Sequence, residues 1–182
     1  MAFRKTDKQL IYTNNGETVY VEAWGENSLR VRATKTSEIS QNSWALLEPK
    51  PCNSVIEVGE KTASITNGKI KAIFNEFGWL TYYNQKGETL LEEFWRVNEG
   101  GEKTSALAVY GREYKPIVGT SDYKITLRYE GNDREKIYGL GQRQERHLNI
   151  KGCTLELAQR NSQANIPFAL SNLGYGLLWN NP

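Results

Sequence analysis

From Asp122 to Glu130 the chain alternates without a break. Tyr123, Ile125, Leu127 and Tyr129 fall on one side, Asp122, Lys124, Thr126, Arg128 and Glu130 on the other. Successive side chains of an extended strand point to opposite faces, so a period of two predicts an antiparallel strand with one face buried. The same period runs through Val19, Val21 and Ala23, and through Leu29, Val31 and Ala33 against Arg30 and Arg32. It returns in Ile70, Ala72 and Phe74 against Lys69 and Lys71, and in Leu155 and Leu157 around Glu156. Between these runs lie Asn15-Gly16, Gly25-Glu26-Asn27, Asn67-Gly68, Lys86-Gly87 and Gly131-Asn132-Asp133. Such pairs supply the positive φ that tight hairpin turns require. Many short strands at close spacing, with no sustained helical period, predict an all-β antiparallel sandwich or barrel. The one short helix expected is Ser43 to Glu48, with Ser43 as its cap.

A length of 182 residues suits a single domain over 1–182 with a sizeable core. The long polar stretch from Lys35 to Ser54 reads as a connection between strands, and Asn98 to Ser105 reads as a loop. Lys and Arg number 23 against 21 Asp and Glu, with the signs interspersed. That balance argues against a nucleic-acid partner. No run is long enough to cross a bilayer and the N-terminus carries no apolar leader, so neither a membrane partner nor secretion is expected. Cys52 and Cys153 are too few and too far apart for a disulfide framework or a zinc site, and are expected as reduced, buried thiols. With no Asn-x-Ser/Thr acceptor present, the expected location is cytoplasmic.

The chemistry-bearing groups are sparse. Gly139-Leu140-Gly141 begins a dinucleotide fingerprint, but the third small position falls at Gln144 and no helix pattern follows. His147 is the single histidine, in a polar loop, and reads as a solvated surface residue. Glu92-Glu93 cannot flank one glycosidic bond, because neighbours on a strand face opposite ways. Five Trp and ten Tyr offer ring faces for sugars, yet Trp24, Trp79, Trp95 and Trp179 are expected first as core or sheet-face residues. No catalytic or metal-ligating set emerges.

The segment from Ile137 to Pro182 carries the densest motifs. These are Tyr138-Gly139-Leu140-Gly141-Gln142, Asn149-Ile150-Lys151-Gly152, Gln159-Arg160-Asn161, Ile166-Pro167-Phe168 and Ser171-Asn172-Leu173-Gly174-Tyr175-Gly176-Leu177-Leu178-Trp179. In that order and spacing they resemble the N-terminal β-sandwich of glycoside hydrolase family 31. Arg112-Glu113-Tyr114-Lys115-Pro116-Ile117 resembles its α-xylosidase branch. The resemblance is dense from Gly111 to Pro182; upstream, only Leu29-Arg30-Val31-Arg32 is similar.

The resemblance implies a galactose-mutarotase-like supersandwich. In the family this domain joins a (β/α)8 barrel that holds two catalytic aspartates and cleaves α-glycosidic bonds with retention. The chain ends at Asn181-Pro182 within a β-rich stretch, so the expectation is a C-terminally truncated, non-catalytic domain of an α-xylosidase-like enzyme. Its implied partners are its own catalytic barrel and an α-xyloside or α-glucoside oligosaccharide, with no cofactor. A family loop that leans over the barrel mouth corresponds to Gln159-Arg160-Asn161-Ser162, which makes Arg160 and Asn161 the candidate substrate-binding residues. Many relatives have Asp where Asn161 stands; an amide still hydrogen-bonds a hydroxyl but brings no charge. Against this stand a plain turn role for Asn161 and a structural ion pair for Arg160. Gly139, Gly141, Gly174 and Gly176 are expected at turns and close-packing points. A free-standing carbohydrate-binding sandwich is the alternative, and dimerisation through a truncated sheet edge is expected of the isolated chain.

Overall fold

A computed structural model describes residues 2–36, 39, 41, 43, 45–96, 108–144 and 146–180. The described residues form strands and loops and no helix. They fall into two compact units, residues 1–42 with 47–130 and residues 43–46 with 131–182.

In the first unit, β1 (Ala2–Lys5), β2 (Gln9–Asn14), β3 (Glu17–Ala23) and β4 (Leu29–Thr34) form an antiparallel sheet in chain order. A second antiparallel sheet holds β5 (Ser54–Val58), β6 (Ala63–Asn67), β7 (Ile70–Phe74), β8 (Leu80–Asn84) and β9 (Thr89–Glu92), again in chain order. The period of two sends one face of each sheet into a shared core. Leu10, Tyr12, Val19 and Val21 from the first meet Ala63, Ile65, Ala72, Phe74 and Leu80 from the second. Phe3, Tyr12 and Phe74 pack ring on ring at its centre, with centroids 5.3–6.0 Å apart. The Asn15-Gly16 pair makes the two-residue turn expected of it, with φ of 48° and 73°. Asn67 does more than turn the chain. Its buried amide donates to the carbonyls of Gly25 (2.7 Å) and Ser28 (2.8 Å), which ties the β6–β7 hairpin to the β3–β4 hairpin.

A ribbon of β10 (Arg112–Pro116) and β11 (Tyr123–Leu127) follows; its second strand takes up only part of the alternation read from 122 to 130, and Tyr123 at its start is exposed. Past β11 the chain pairs with the residues after β9 through the Glu93–Tyr129 bridge. The second unit is a three-stranded antiparallel sheet of β12 (Ile137–Gln142), β13 (Ala164–Ser171) and β14 (Gly176–Leu178), with β13 central.

Several expectations are corrected. The described residues between 43 and 48 form no helix; the segment is below the length at which a helix holds, and Pro49 disfavours a helical Glu48. Leu155 and Leu157 lie in no strand. Side-chain donors occupy carbonyls there that a ladder would have used, Arg143 at Glu156 and Asn165 at Ala158. Tyr138 to Gly141 is a bulged strand and not a turn, with positive φ at Gly139, Leu140 and Gly141. Cys153 is exposed and Cys52 half-buried, both unpaired, because the segments that carry them skirt the sheets. On β4, Val31 is exposed while Arg30 and Arg32 are largely covered, drawn to Glu22 and to the ring of Trp24. The loop expected at Asn98 to Ser105 lies outside the described residues.

Candidate functional site

The segment holding Arg160 and Asn161 connects β12 to β13, and its shape follows from a few polar anchors. Arg143, just past β12, donates to the Asn165 Oδ1 (2.8 Å) and to the Glu156 carbonyl (3.2 Å). Asn165, near the start of β13, donates through Nδ2 to the Ala158 carbonyl (2.5 Å). Gln159 Nε2 donates to the Asn165 carbonyl (3.2 Å). These bonds hold both feet of a tight turn, closed by the Gln163 N–H donating to the Arg160 carbonyl (3.1 Å). Ser162 has a positive φ of 65°, the conformation that lets the chain reverse there.

Asn161 therefore sits at an exposed turn tip, with no side-chain hydrogen bond to another described residue. Arg160 stands beside it, ion-paired with Glu156. Both side chains of that pair are mostly exposed, so it contributes little stability, but it holds the guanidinium along the loop. Of the two candidates, Asn161 is thus presented to solvent and Arg160 is engaged. His147, on the same connection, is also exposed. Among the described residues, no group of three or more His, Cys, Asp and Glu gathers to hold a metal ion.

The remaining motifs of this unit build its frame. A Cβ on Gly139 would lie 2.6 Å from the Phe168 carbonyl oxygen, and one on Gly141 would lie 2.0 Å from that of Ala164. Only glycine lets β12 bulge that close to β13. Ser171 and Tyr175 both donate to the buried Glu135 carboxylate at 2.6 Å, while Asn172 accepts from the Lys136 N–H at 2.6 Å. The Ser-Asn-Leu-Gly-Tyr-Gly run clamps the chain leading into β12.

In the first unit, the sequence reading missed a buried ionic centre. Arg112, at the start of β10, donates through Nε to Glu17 (2.8 Å), through Nη1 to Glu93 (2.6 Å) and through Nη2 to the Gly78 carbonyl (2.8 Å). The Tyr114 hydroxyl donates to the same Glu17 oxygen (2.9 Å), and the Leu80 N–H donates to Glu93 (2.9 Å). Arg112 and Glu93 are only 6% and 3% exposed, and Glu92 is exposed, as the opposite-face argument for that pair required. Burial pushes the Glu93 carboxyl up, and Arg112 with the Leu80 N–H limits the rise. Burial alone would pull the Arg112 guanidinium down; Glu93 and Glu17 outweigh it and hold it above its ordinary range. Burial, then the charge of Glu17, raises the Tyr114 phenol. With Arg112 engaged on every side, the centre ties the start of β3, the residue that follows β9 and the start of β10 together. One signal was available: by parity Glu93 shares a strand face with Leu91 and Trp95, and a carboxylate on an apolar face announces a buried cation.

Of the four tryptophans expected in the core or on a sheet face, three are half-buried and none is in the core. Trp79 and Trp95 stack with centroids 3.8 Å apart beside Phe77, Trp24 lies under Arg30, and Trp179 is exposed.

Residues 18–182 match the family described as the glycosyl hydrolase 31 N-terminal galactose mutarotase-like domain. An uncharacterized family 31 glucosidase of Pseudescherichia vulneris, ORF2, is 50% identical over 172 residues, which cover 89% of this chain and 32% of the relative. α-Xylosidase A of Aspergillus niger is 25% identical over 188 residues, covering 91% of this chain and 24% of that enzyme. Among solved structures, a family 31 α-xylosidase from a soil metagenome, complexed with xylose, is 47% identical. It superposes with a TM-score of 0.92 over 100% of this chain and 28% of its own. The chain thus spans about a third or less of the length of these relatives. The likeness begins well upstream of Gly111, where the motifs become dense.

Proposed function

The chain belongs to the glycosyl hydrolase 31 N-terminal galactose mutarotase-like domains, and from that premise we propose that residues 1–182 serve as the non-catalytic sandwich of a longer retaining α-glycosidase. Its substrates are α-linked xylosides, with α-linked glucosides second. The observation that carries this is the superposition of the whole chain, at 47% identity, on 28% of an α-xylosidase complexed with xylose. The acid and nucleophile belong to the rest of the enzyme, and no cofactor takes part. The domain packs on its own catalytic barrel. There the turn at Asn161 leans over the active-site mouth, where the amide hydrogen-bonds a sugar hydroxyl. Arg160, paired with Glu156, fixes the turn. The exposed tip position of Asn161 favours this assignment over a purely structural one.

The test is hydrolysis by the full-length protein. It should cleave aryl α-xylosides faster than aryl α-glucosides, while the 182-residue chain alone turns over neither. Asn161→Ala in the full-length protein should raise KM about three- to tenfold, the worth of one hydrogen bond to a neutral hydroxyl. An unchanged KM and kcat would remove Asn161 from the site, and absence of α-xyloside turnover would remove the reading itself. The proposal includes a cytoplasmic setting, consistent with two unpaired thiols. It also includes self-pairing of the isolated chain along β14, an edge strand of its sheet. Light scattering that finds monomer at every concentration would dismiss the pairing.

A further inference from the structure

One face of the β5–β9 sheet turns away from the core, and across it Thr66, Lys71 and Tyr83 stand directly opposite one another on β6, β7 and β8. Their chain neighbours Ile65 and Ala72 fill the core, so the period of two aims this row outward. The row lines a groove of about 490 Å³ together with Ile73, on the same face of β7, and with Lys69 and Gln85. Lys69 and Gln85 belong to the β6–β7 and β8–β9 turns, which close the same end of the sheet. From Thr66 to Tyr83 is two strand spacings, about 10 Å, comparable to a disaccharide.

The polar groups here are unspent. The side chains of Thr66, Lys69, Lys71, Tyr83 and Gln85 have no hydrogen-bond or ion-pair partner among the described residues. Asn84, at the rim of the same groove, is the contrast. Its Nδ2 donates to Glu88 (2.7 Å) and its Oδ1 accepts from the N–H groups of Lys86 and Glu88. Turn-building groups are therefore satisfied while groove-lining ones are not. Ile73 and the Tyr83 ring give the lining an apolar part, which suits the C–H face of a pyranose. The ammonium, hydroxyl and amide groups beside it match the hydroxyls around such a ring. The lysines occupy separate positions along an open trough, which fits a chain of hydroxyl-bearing rings better than one anion.

We propose that this groove is an oligosaccharide-binding site taking at least two neutral pyranose rings, with Tyr83 as the stacking platform and Lys71 as donor to ring hydroxyls. It rests on the glycosidase reading only for the choice of sugars. The site would hold a glycan near the enzyme, apart from the bond being cut.

The test is titration of the 182-residue chain with xylotetraose, cellotetraose and maltotetraose, followed by calorimetry and by amide chemical-shift mapping. At least one sugar should bind, with shifts centred on Thr66, Lys71 and Tyr83. Tyr83→Ala and Lys71→Ala should each weaken binding about tenfold, while Tyr83→Phe and the control Lys124→Ala leave it within about threefold. Unchanged circular dichroism in each variant separates lost binding from lost fold. No binding of any of the three sugars, shifts centred elsewhere, or affinity indifferent to Tyr83→Ala would overturn the proposal. So would displacement of the sugar by inorganic sulfate, which would mark the trough as an anion site. Turnover of aryl α-xylosides by the longer protein is read separately. Hydrolysis without groove binding sinks this site alone, and groove binding without hydrolysis sinks the glycosidase reading.

Discussion

Removing the Arg112 side chain tests the buried ionic centre most directly. One guanidinium makes four hydrogen bonds, one to Glu17, two to Glu93 and one to the Gly78 carbonyl. In Arg112→Ala, two carboxylates face each other across a buried gap. Breaking a buried ion pair from one side costs about 3–5 kcal/mol, and an orphaned carbonyl adds about 1 kcal/mol. A total of about 4–6 kcal/mol is a large part of the roughly 5–15 kcal/mol that holds a domain together. Glu93→Gln is a different perturbation. The amide oxygen still accepts from the Leu80 N–H, Arg112 keeps Glu17, and a neutral group costs less to bury. Its cost should stay within about 1 kcal/mol. The pH dependence separates the two variants further. Because Glu93 titrates higher in the fold than in the unfolded chain, the fold binds its proton more tightly. That contribution is full below the ordinary carboxylate value of 4.5 and is lost as pH rises through the folded value. Glu93→Gln should therefore gain on the native chain as pH rises from 4 towards 7. Urea unfolding followed by tryptophan fluorescence at both pH values measures all of this. With a slope of about 1–3 kcal/mol per M, Arg112→Ala should move the midpoint by 1 M or more. The reasoning fails if Arg112→Ala costs under about 1.5 kcal/mol. It fails equally if Glu93→Gln at pH 7 is as damaging, or if the gap between Glu93→Gln and the native chain moves the other way with pH.

Five further substitutions, at four positions, probe the frame. Gly141→Ala combines a φ of 98° with a Cβ 2.0 Å from a backbone oxygen and should cost at least about 2 kcal/mol; Gly119→Ala, with φ of 87° but open space around it, should cost about 1–2 kcal/mol. Thermal melts that rank these two in the opposite order would contradict the close approach of β12 to β13. Phe74→Ala, at the centre of the aromatic stack, should cost about 3–5 kcal/mol by denaturant unfolding. A loss under 1 kcal/mol would mean that the core does not sit between the two sheets. Asn67→Asp should destabilise at least as much as Asn67→Ala, since a carboxylate has no donor for the carbonyls of Gly25 and Ser28. Equal stability of Asn67→Asp and the native chain would show that the amide does not tie the hairpins.

Where the sequence read well, the information was local. Val19 and Val21 on β3 and Ala72 and Phe74 on β7 reach the core because the pleat alternates, and no partner strand is needed to see that. Asn15-Gly16 turns because of its own backbone freedom. The opposite facing of Glu92 and Glu93 came from the same rule. The motif drew attention to Arg160 and Asn161, and the chain does turn there. Which of them is presented and which is engaged depends on Glu156, Arg143 and Asn165.

Failures came where a short local pattern competed with side chains from elsewhere. The alternation at Leu155 and Leu157 found Arg143 and Asn165 in place of a neighbouring strand. Arg30 and Arg32 read as solvated because both are charged, yet Glu22 across the ladder and the Trp24 ring cover them. By itself, then, the sequence determined an all-β chain, most of its hairpins and its family, since these rest on period, turn chemistry and ordered motifs. The tertiary structure alone decided that Glu17, Glu93 and Arg112 meet, and that Thr66, Lys71 and Tyr83 align in one open row. The physical reason is distance along the chain: turns and period set each hairpin, but which side chains gather between elements far apart in sequence is set by how those elements pack, and that is written in no single stretch of chain.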